Sequence, residues 1–371
     1  MTFPGLSLAD AKLDVAAFDR KRVIGEADKY LGKKPATPTA SQSPRSAGGV
    51  HDFFSEGDYW WPDPKNLEGP YVQRDGMTNP DNFVEHRKVL LRVSVEVPAL
   101  AAAWKLTKQK RYAEHAAAHL RAWFVDSATR MNPNLQFAQA IKGRSTGRGT
   151  GVIDTIHLVE VARAVPLIAE AGALSKADFK ALQQWFAEYT VWMTTSKNGM
   201  EERDAKNNHG TCWLMQVAAF AQLTGDKPLL ADCANRFKTI IVPGQIDPDG
   251  SLPLEARRTK PYGYCLFNLE ALATLCQILG PGLWNFTTTD GRSMRKAIEY
   301  MYPFIADKKS WKLKPDVMYF EYWPMRQEAL LFGGLAYKRQ DYLELWKKLP
   351  ASSEVDEVVR NFFIRQPVLW V

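Results

Sequence analysis

From about residue 84 onward the chain holds a helical hydrophobic period almost without a break, and the helices come in pairs. Apolar residues recurring every three to four positions place helices at 84–106, 109–125, 152–172, 176–195, 208–223, 227–240, 263–279, 292–306, 325–336, 339–348 and 353–363. Three stretches repeat one plan of helix, tight turn and helix. Ala102–Trp123 turns through Leu106-Thr107-Lys108-Gln109-Lys110, and Ala218–Phe237 through Leu223-Thr224-Gly225-Asp226-Lys227. Phe332–Leu349 turns through Tyr337-Lys338-Arg339-Gln340. Ser175 and Asp178 form a capping box ahead of the helix carrying Trp185 and Trp192. The repeats lie too far apart for a tight solenoid. Antiparallel helix pairs with short turns instead predict an all-α fold, an (α/α)-barrel or toroid.

Upstream, 8–31 reads as an amphipathic helix with Leu8, Leu13, Ala16, Val23, Ala27 and Tyr30 roughly on one stripe. Residues 1–45 thus form an N-terminal helix and loop, and 46–82 a long loop rich in turns and aromatic residues. A loop of that length in a compact domain is functional or disordered, and its aromatic content argues against disorder. No linker splits the helical part, so residues 1–371 are expected to form one domain.

The formal charge of +7 favours an anionic partner such as an acidic polysaccharide. No dense Lys/Arg block with interleaved aromatics points to nucleic acid. No apolar run is long enough to span a membrane, and no basic-then-apolar leader opens the chain. Cys212, Cys233, Cys265 and Cys276 lack Cys-x-x-Cys spacing, so buried free thiols are expected rather than a metal site.

Two segments carry the chemistry. Asn207-Asn208-His209 opens one apolar helix, where exposed N–H groups favour an anion. Read blandly, one Asn caps, the other turns and His209 is an ordinary buried histidine. Glu255-Ala256-Arg257-Arg258-Thr259-Lys260-Pro261-Tyr262-Gly263-Tyr264 precedes and opens another helix. A phenol is a poor base alone, but a neighbouring cation favours the phenolate and lowers its pKa. The bland reading pairs Arg258 with Glu255 on the surface and packs Tyr264 in the core. A third segment, Asn134–Gln139 followed by Lys142–Gly151, is glycine- and arginine-rich. It lacks Gly-Lys-Ser/Thr and a strand–loop–helix context, which argues against nucleotide and leaves a sugar-acid subsite or a flexible surface loop. The carboxylates Glu201, Glu202, Asp204, Glu255 and Asp63 show no apolar setting that would raise a pKa for glycosidase work.

Ser46-Ala47-Gly48-Gly49-Val50-His51-Asp52 and Ser55-Glu56-Gly57-Asp58-Tyr59-Trp60-Trp61-Pro62-Asp63-Pro64 resemble the opening signature of the alginate-lyase-like superfamily. So do Asn134–Gln139, Gly147-Arg148-Gly149, Asn207-Asn208-His209 and Trp323-Pro324-Met325-Arg326. The likeness covers roughly residues 22–336, is nearest to polysaccharide lyase family 38 and is more distant from family 5. It implies an (α/α) toroid and β-elimination on 1,4-linked polyuronate, alginate or glucuronan, with no metal or organic cofactor. Carried over by motif, Tyr264 is the proton donor, His209 or Tyr264 the base, and Asn208 (or Asn207) with Arg258 (or Arg257) holds the carboxylate. Tyr262 stands as a second phenol. Tyr59, Trp60 and Trp61 are expected to shape the cleft, and Gln136, Gln139 and Arg148 to bind neighbouring sugar units. Work on an extracellular polymer implies a periplasmic or secreted protein. An inverting glycoside hydrolase acting on an acidic glycan is the alternative.

Overall fold

In the computed structural model, which describes residues 12–371, the first helix starts where Asp14 can cap it. The Asp14 carboxylate accepts the Ala17 N–H at 2.9 Å, and α1 (Val15–Asp28) buries Val15, Asp19, Val23 and Ala27 at four-residue spacing. Residues 8–11 of the expected helix lie outside the described residues. α2 (Glu85–Thr107) buries an unbroken run from Ala99 to Ala103, where small side chains let neighbouring helices approach. It ends on left-handed Lys108, and α3 (Lys110–Phe124) folds back against it.

A 3₁₀ turn at Gly149–Thr155 precedes α4 (Leu158–Glu170), so the segment expected to be helical from 152 begins later. α5 (Lys176–Thr195) opens with the Ser175–Asp178 capping box. α6 (Lys197–Arg203) was not expected: Ser196 both ends α5 and caps α6, accepting the Gly199 N–H at 3.0 Å. α7 (Asn208–Thr224) stops at Gly225, whose φ of 75° suits glycine. α8 (Lys227–Arg236) runs through a π turn into α9 (Val242–Gln245), followed by α10 (Pro253–Ala256) and α11 (Pro261–Leu279). The remaining helices are α12 (Pro281–Trp284), α13 (Met294–Ala306), α14 (Glu328–Ala336), α15 (Gln340–Lys348) and α16 (Asp356–Asn361).

α2, α4, α7, α11 and α14 pack each against the next in that order, while α3, α5, α8, α13 and α15 lie on them. α1 packs on α2, and its Phe18 reaches Trp346 of α15 at 5.7 Å between ring centroids. This is the expected all-α toroid. No helix among the described residues is long and apolar enough to cross a membrane. All four cysteines are free and buried, and burial pushes the Cys212, Cys265 and Cys276 thiols well up.

Two further features were not expected. The aromatic loop is pinned by short strands: β1 (Phe54–Glu56) pairs in parallel with β4 (Phe137–Ala140), and β2 (Trp60–Trp61) pairs antiparallel with β3 (Val72–Gln73). The last expected helix, 353–363, is helical only over α16, and Phe362–Trp370 then runs buried along the toroid axis. Its contacts fall on the ring helices. The backbone N–H groups of Arg365 and Gln366 donate to Glu160 of α4, Lys105 of α2 donates to the Val368 carbonyl at 2.6 Å, and Trp370 packs at a tilt against Phe332 of α14. A largely apolar segment, with Arg365 and Gln366 hydrogen-bonded inside it, replaces the water that an open axis would hold.

Candidate active site

The mouth of the toroid carries a cavity of about 250 Å³. One wall is the start of α7. Asn208 is buried there, with its N–H and Nδ2 donating to the two Glu255 oxygens at 2.6 and 2.7 Å. Glu255 is fully buried, and burial raises its pKa while the Asn208 donors oppose the rise. It is therefore not a surface partner of Arg258. Next along, His209 Nδ1 lies 2.6 Å from Glu202 Oε1. A carboxylate there fixes the proton on Nδ1 and leaves Nε2 as the acceptor. α6 supplies Glu202, so the unexpected helix is what orients the imidazole.

The opposite wall is the approach to α11. Arg258 pairs with Asp75 at 3.0 Å and donates to the Tyr264 oxygen at 3.3 Å, its guanidinium stacked 4.3 Å from the Tyr264 ring. Thr259 Oγ1 also donates to Asp75, at 2.9 Å. From the aromatic loop, the Tyr59 hydroxyl meets the Tyr264 hydroxyl at 2.8 Å. Burial pushes the Tyr264 phenol up to about 12, and Arg258 and Tyr59 pull against that rise without reversing it. The lowering by a cation expected from sequence is present, but desolvation exceeds it. At neutral pH Tyr264 carries its proton.

Gln139 and Arg148 close the end of the cavity. Arg148 donates to the Gln139 side-chain oxygen at 2.8 Å and main-chain oxygen at 3.2 Å, neither of which is charged. Gln139 sits at φ 51° and also donates to Asp154. The glycines here are packing positions, not a flexible loop. A Cβ on Gly151 would lie 2.6 Å from Ala138, and one on Gly147 would lie 2.0 Å from the Gln136 carbonyl oxygen. Trp60 lines the cavity as well.

Five of the expected residues lie elsewhere. Tyr262 is fully buried, its hydroxyl donating to the Phe304 carbonyl at 3.0 Å, so it belongs to the core behind the site. Arg257 and Gln136 are exposed and outside the cavity lining. Asn207 takes the N-cap position of α7 without a side-chain cap bond, and its carbonyl accepts from Gln245. Trp61 donates to the Met77 carbonyl and stacks with Arg74, bracing the loop from outside.

The Alginate lyase family model matches residues 37–311. The chain belongs to the alginate lyase family. It is a polysaccharide lyase with the family's toroid. An alginate lyase from Bacteroides ovatus is 30% identical, with a TM-score of 0.83 over 96% of this chain and 94% of that one. Alginate lyase A1-III from Sphingomonas species A1 shares the fold at 15% identity and TM-score 0.52, over 98% and 97% of the two chains. A variant of A1-III complexed with tetrasaccharide does so at 13% identity and TM-score 0.59, over the same shares. Comparison with curated proteins gives no match.

Asp75, Asp154, Arg360 and Asn361 carried no signal in the motifs, and Asp58 stood inside one without an expected role. Asp75 is brought to Arg258 by the turn at Gly76, where φ is 78°. Asp58 and Asp154 are held by Arg87 of α2, at 2.5 and 3.0 Å. Arg360 and Asn361 enter the cavity from α16. Glu202 and Glu255 were expected to lack an apolar setting; both are instead buried, and burial raises the Glu255 pKa.

Proposed function

We propose that this lyase cleaves 1,4-linked polyuronate, alginate or glucuronan, by β-elimination. The observation that carries the reading is the convergence of Asn208, His209, Arg258 and Tyr264 on one cavity. A uronate C5–H becomes acidic only when its carboxylate charge is spread. The remaining Asn208 N–H, the Arg258 guanidinium and the Arg148 cation would hold the carboxylate and the neighbouring acidic units. Each well-placed donor is worth about 3–4 kcal/mol as the enolate-like charge develops. The base takes the C5 proton, the electron pair forms the C4–C5 double bond, and the C4–O4 bond breaks. Tyr264, protonated by virtue of its burial, gives its proton to O4.

The base follows the epimer. In mannuronate or glucuronate the proton and leaving group share a face, so Tyr264 serves both roles: it first releases its own proton to solvent under the pull of the Arg258 guanidinium, then takes the C5 proton and gives it to O4. In guluronate they lie on opposite faces, and His209 Nε2, oriented through Glu202, is the base. No metal or organic cofactor enters these steps. Residues 1–371 would act as one lyase domain, in the periplasm or outside the cell.

A glycosidase reading finds less support. The cavity carboxylates Asp58, Asp75 and Asp154 are all paired with arginines. Arg360 and Arg87 overcome burial and hold Asp58 at about 2, which leaves it no proton to give a leaving oxygen. The test is the ultraviolet absorbance of an unsaturated sugar end, with polymannuronate, polyguluronate and glucuronan as substrates. Tyr264→Phe is expected to abolish that absorbance with the fold intact. Full activity in Tyr264→Phe sinks the assignment, and reducing ends without absorbance sink the lyase reading.

A further inference from the structure

Tyr59 and Tyr264 stand 205 residues apart in sequence, on a loop and on a helix, yet their hydroxyls meet at 2.8 Å. One hydrogen bond between two such segments does not hold them in register, since its net worth is about 1 kcal/mol. α16 grips both sides of it. Arg360 donates to the two oxygens of Asp58, the residue before Tyr59, at 3.0 and 2.8 Å. One helical turn earlier, Glu357 pairs with Lys260 at 2.9 Å. Lys260 is the N-cap residue of α11, four positions before Tyr264, and its ammonium lies 5.4 Å from the Tyr59 ring centroid.

Resting on the lyase reading above, we propose that α16 is a clip that fixes the Tyr59–Tyr264 contact, with Arg360 and Glu357 as positioning residues. Three observations support it beyond the contacts themselves. The Lys260 and Glu357 side chains are 8% and 9% exposed, and a buried ion pair adds little stability for its desolvation cost but does specify geometry. The clip is itself anchored. Asn361 Nδ2 donates to the Glu357 carbonyl at 2.7 Å, Arg365 donates to the Val359 carbonyl, and the segment that follows is buried in the toroid axis. Finally, α16 lies beyond residue 311, where the family match ends, so this part of the cavity comes from outside the matched region.

Neither residue needs to touch the reacting atoms. Arg360 acts through Asp58 on the loop, and Glu357 acts through Lys260 on the start of α11. Without Arg360, the Asp58 carboxylate keeps only its single contact to Arg87 Nη1 at 2.5 Å in place of the two-pronged grip, and Tyr59 is free to swing away from Tyr264. The Tyr264 phenol then loses a partner that favours its ionised form.

The test is Arg360→Ala in the full chain. A misplacement of about 1 Å costs up to about 100-fold in rate, so kcat is expected to fall about 10- to 100-fold while KM moves far less. The limb of the kcat–pH profile set by Tyr264 moves to higher pH. Arg360→Lys, which keeps the charge but not the fork, recovers part of the loss. The exchanged pair Lys260→Glu with Glu357→Lys recovers activity that either single change removes. Hydrogen exchange of residues 53–61 speeds up in Arg360→Ala, a reading that needs no turnover. The clip is wrong if kcat, the pH profile and that exchange all stay as in the wild type. It is equally wrong if activity falls only with the folded fraction and Arg360→Lys does no better than Arg360→Ala. A wild-type protein that yields no unsaturated product instead overturns the lyase reading, and the exchange comparison still decides the clip.

Discussion

Buried glutamates do different work at the mouth of the toroid and along its axis. At the mouth, Glu202 takes the His209 imidazole and Glu255 takes Asn208. Along the axis, Glu160 takes the N–H groups of Arg365 and Gln366, and between two ring helices Glu270 of α11 takes those of Glu328 and Ala329 at the start of α14. All four carboxyl groups are out of water. What differs is the side-chain donor: Glu202 takes an imidazole and Glu255 an amide Nδ2 beside the Asn208 backbone N–H, whereas Glu160 takes only the one-hydrogen indole of Trp370 beside its backbone donors. A backbone or indole N–H has one hydrogen and is used up by its bond, so Glu160 and Glu270 close the structure and nothing more. An imidazole or a side-chain amide has a second polar atom or hydrogen, so the carboxylates at the mouth fix one side of a group and leave the other for substrate. The same buried acid thus orients chemistry in one place and closes the fold in the other.

The comparison can be broken in three places. Glu202→Gln should have the largest effect, lowering kcat on polyguluronate about 100-fold, equivalent to about 2.7 kcal/mol. The melting temperature should barely move, and polymannuronate turnover should suffer less. Equal losses on both polymers would mean that His209 is not an epimer-dependent base. The structural counterpart is Glu270→Gln. Burial raises the Glu270 pKa to about 8, above the ordinary carboxyl value of 4.5. Its contribution is therefore full below about pH 4.5 and is lost as pH rises towards 8, by at most about 1.4 kcal/mol per unit. Glu328, pushed up by burial and by Glu270, titrates with it. Glu270→Gln should flatten that slope in denaturant titrations between pH 5 and 8 while kcat per folded molecule holds. A slope unchanged by the substitution would place the titration elsewhere. Arg257→Ala should do least. The side chain is exposed and outside the cavity, so kcat/KM should stay within about two-fold, whereas Arg258→Ala should be severely impaired.

The outer helices such as α3, α13 and α15 were legible because each buries one stripe, whereas the ring helices α7 and α11 are buried on nearly every side and showed as long apolar runs. α6 escaped because Ser196 ends one helix and starts the next without a loop between them. The burial of Glu202 escaped with it. The choice between Tyr262 and Tyr264 was open to geometry alone. Two positions along a helix are about 200° apart, so both phenols cannot face one cleft. The parallel pairing of Phe54 with Phe137 joins segments too distant for any local pattern to register. The axial segment 362–370 is apolar but for Arg365 and Gln366 and shows no period, because it is surrounded on every side and has no face to alternate.

That axial segment also bears on how the chain reaches its active form. Arg22 meets the Arg365 carbonyl across 343 positions, Arg360 meets Asp58 across 302, and Lys105 meets Val368 across 263. Contacts this distant close large loops, which makes them slow to form and late to gain from the rest of the fold. The ring of helices can assemble pair by pair from neighbours in sequence, but the floor of the cleft cannot. Recovery of helical signal after dilution from denaturant therefore runs ahead of recovery of turnover, and the catalytic rate is a more exacting measure of refolding than secondary structure.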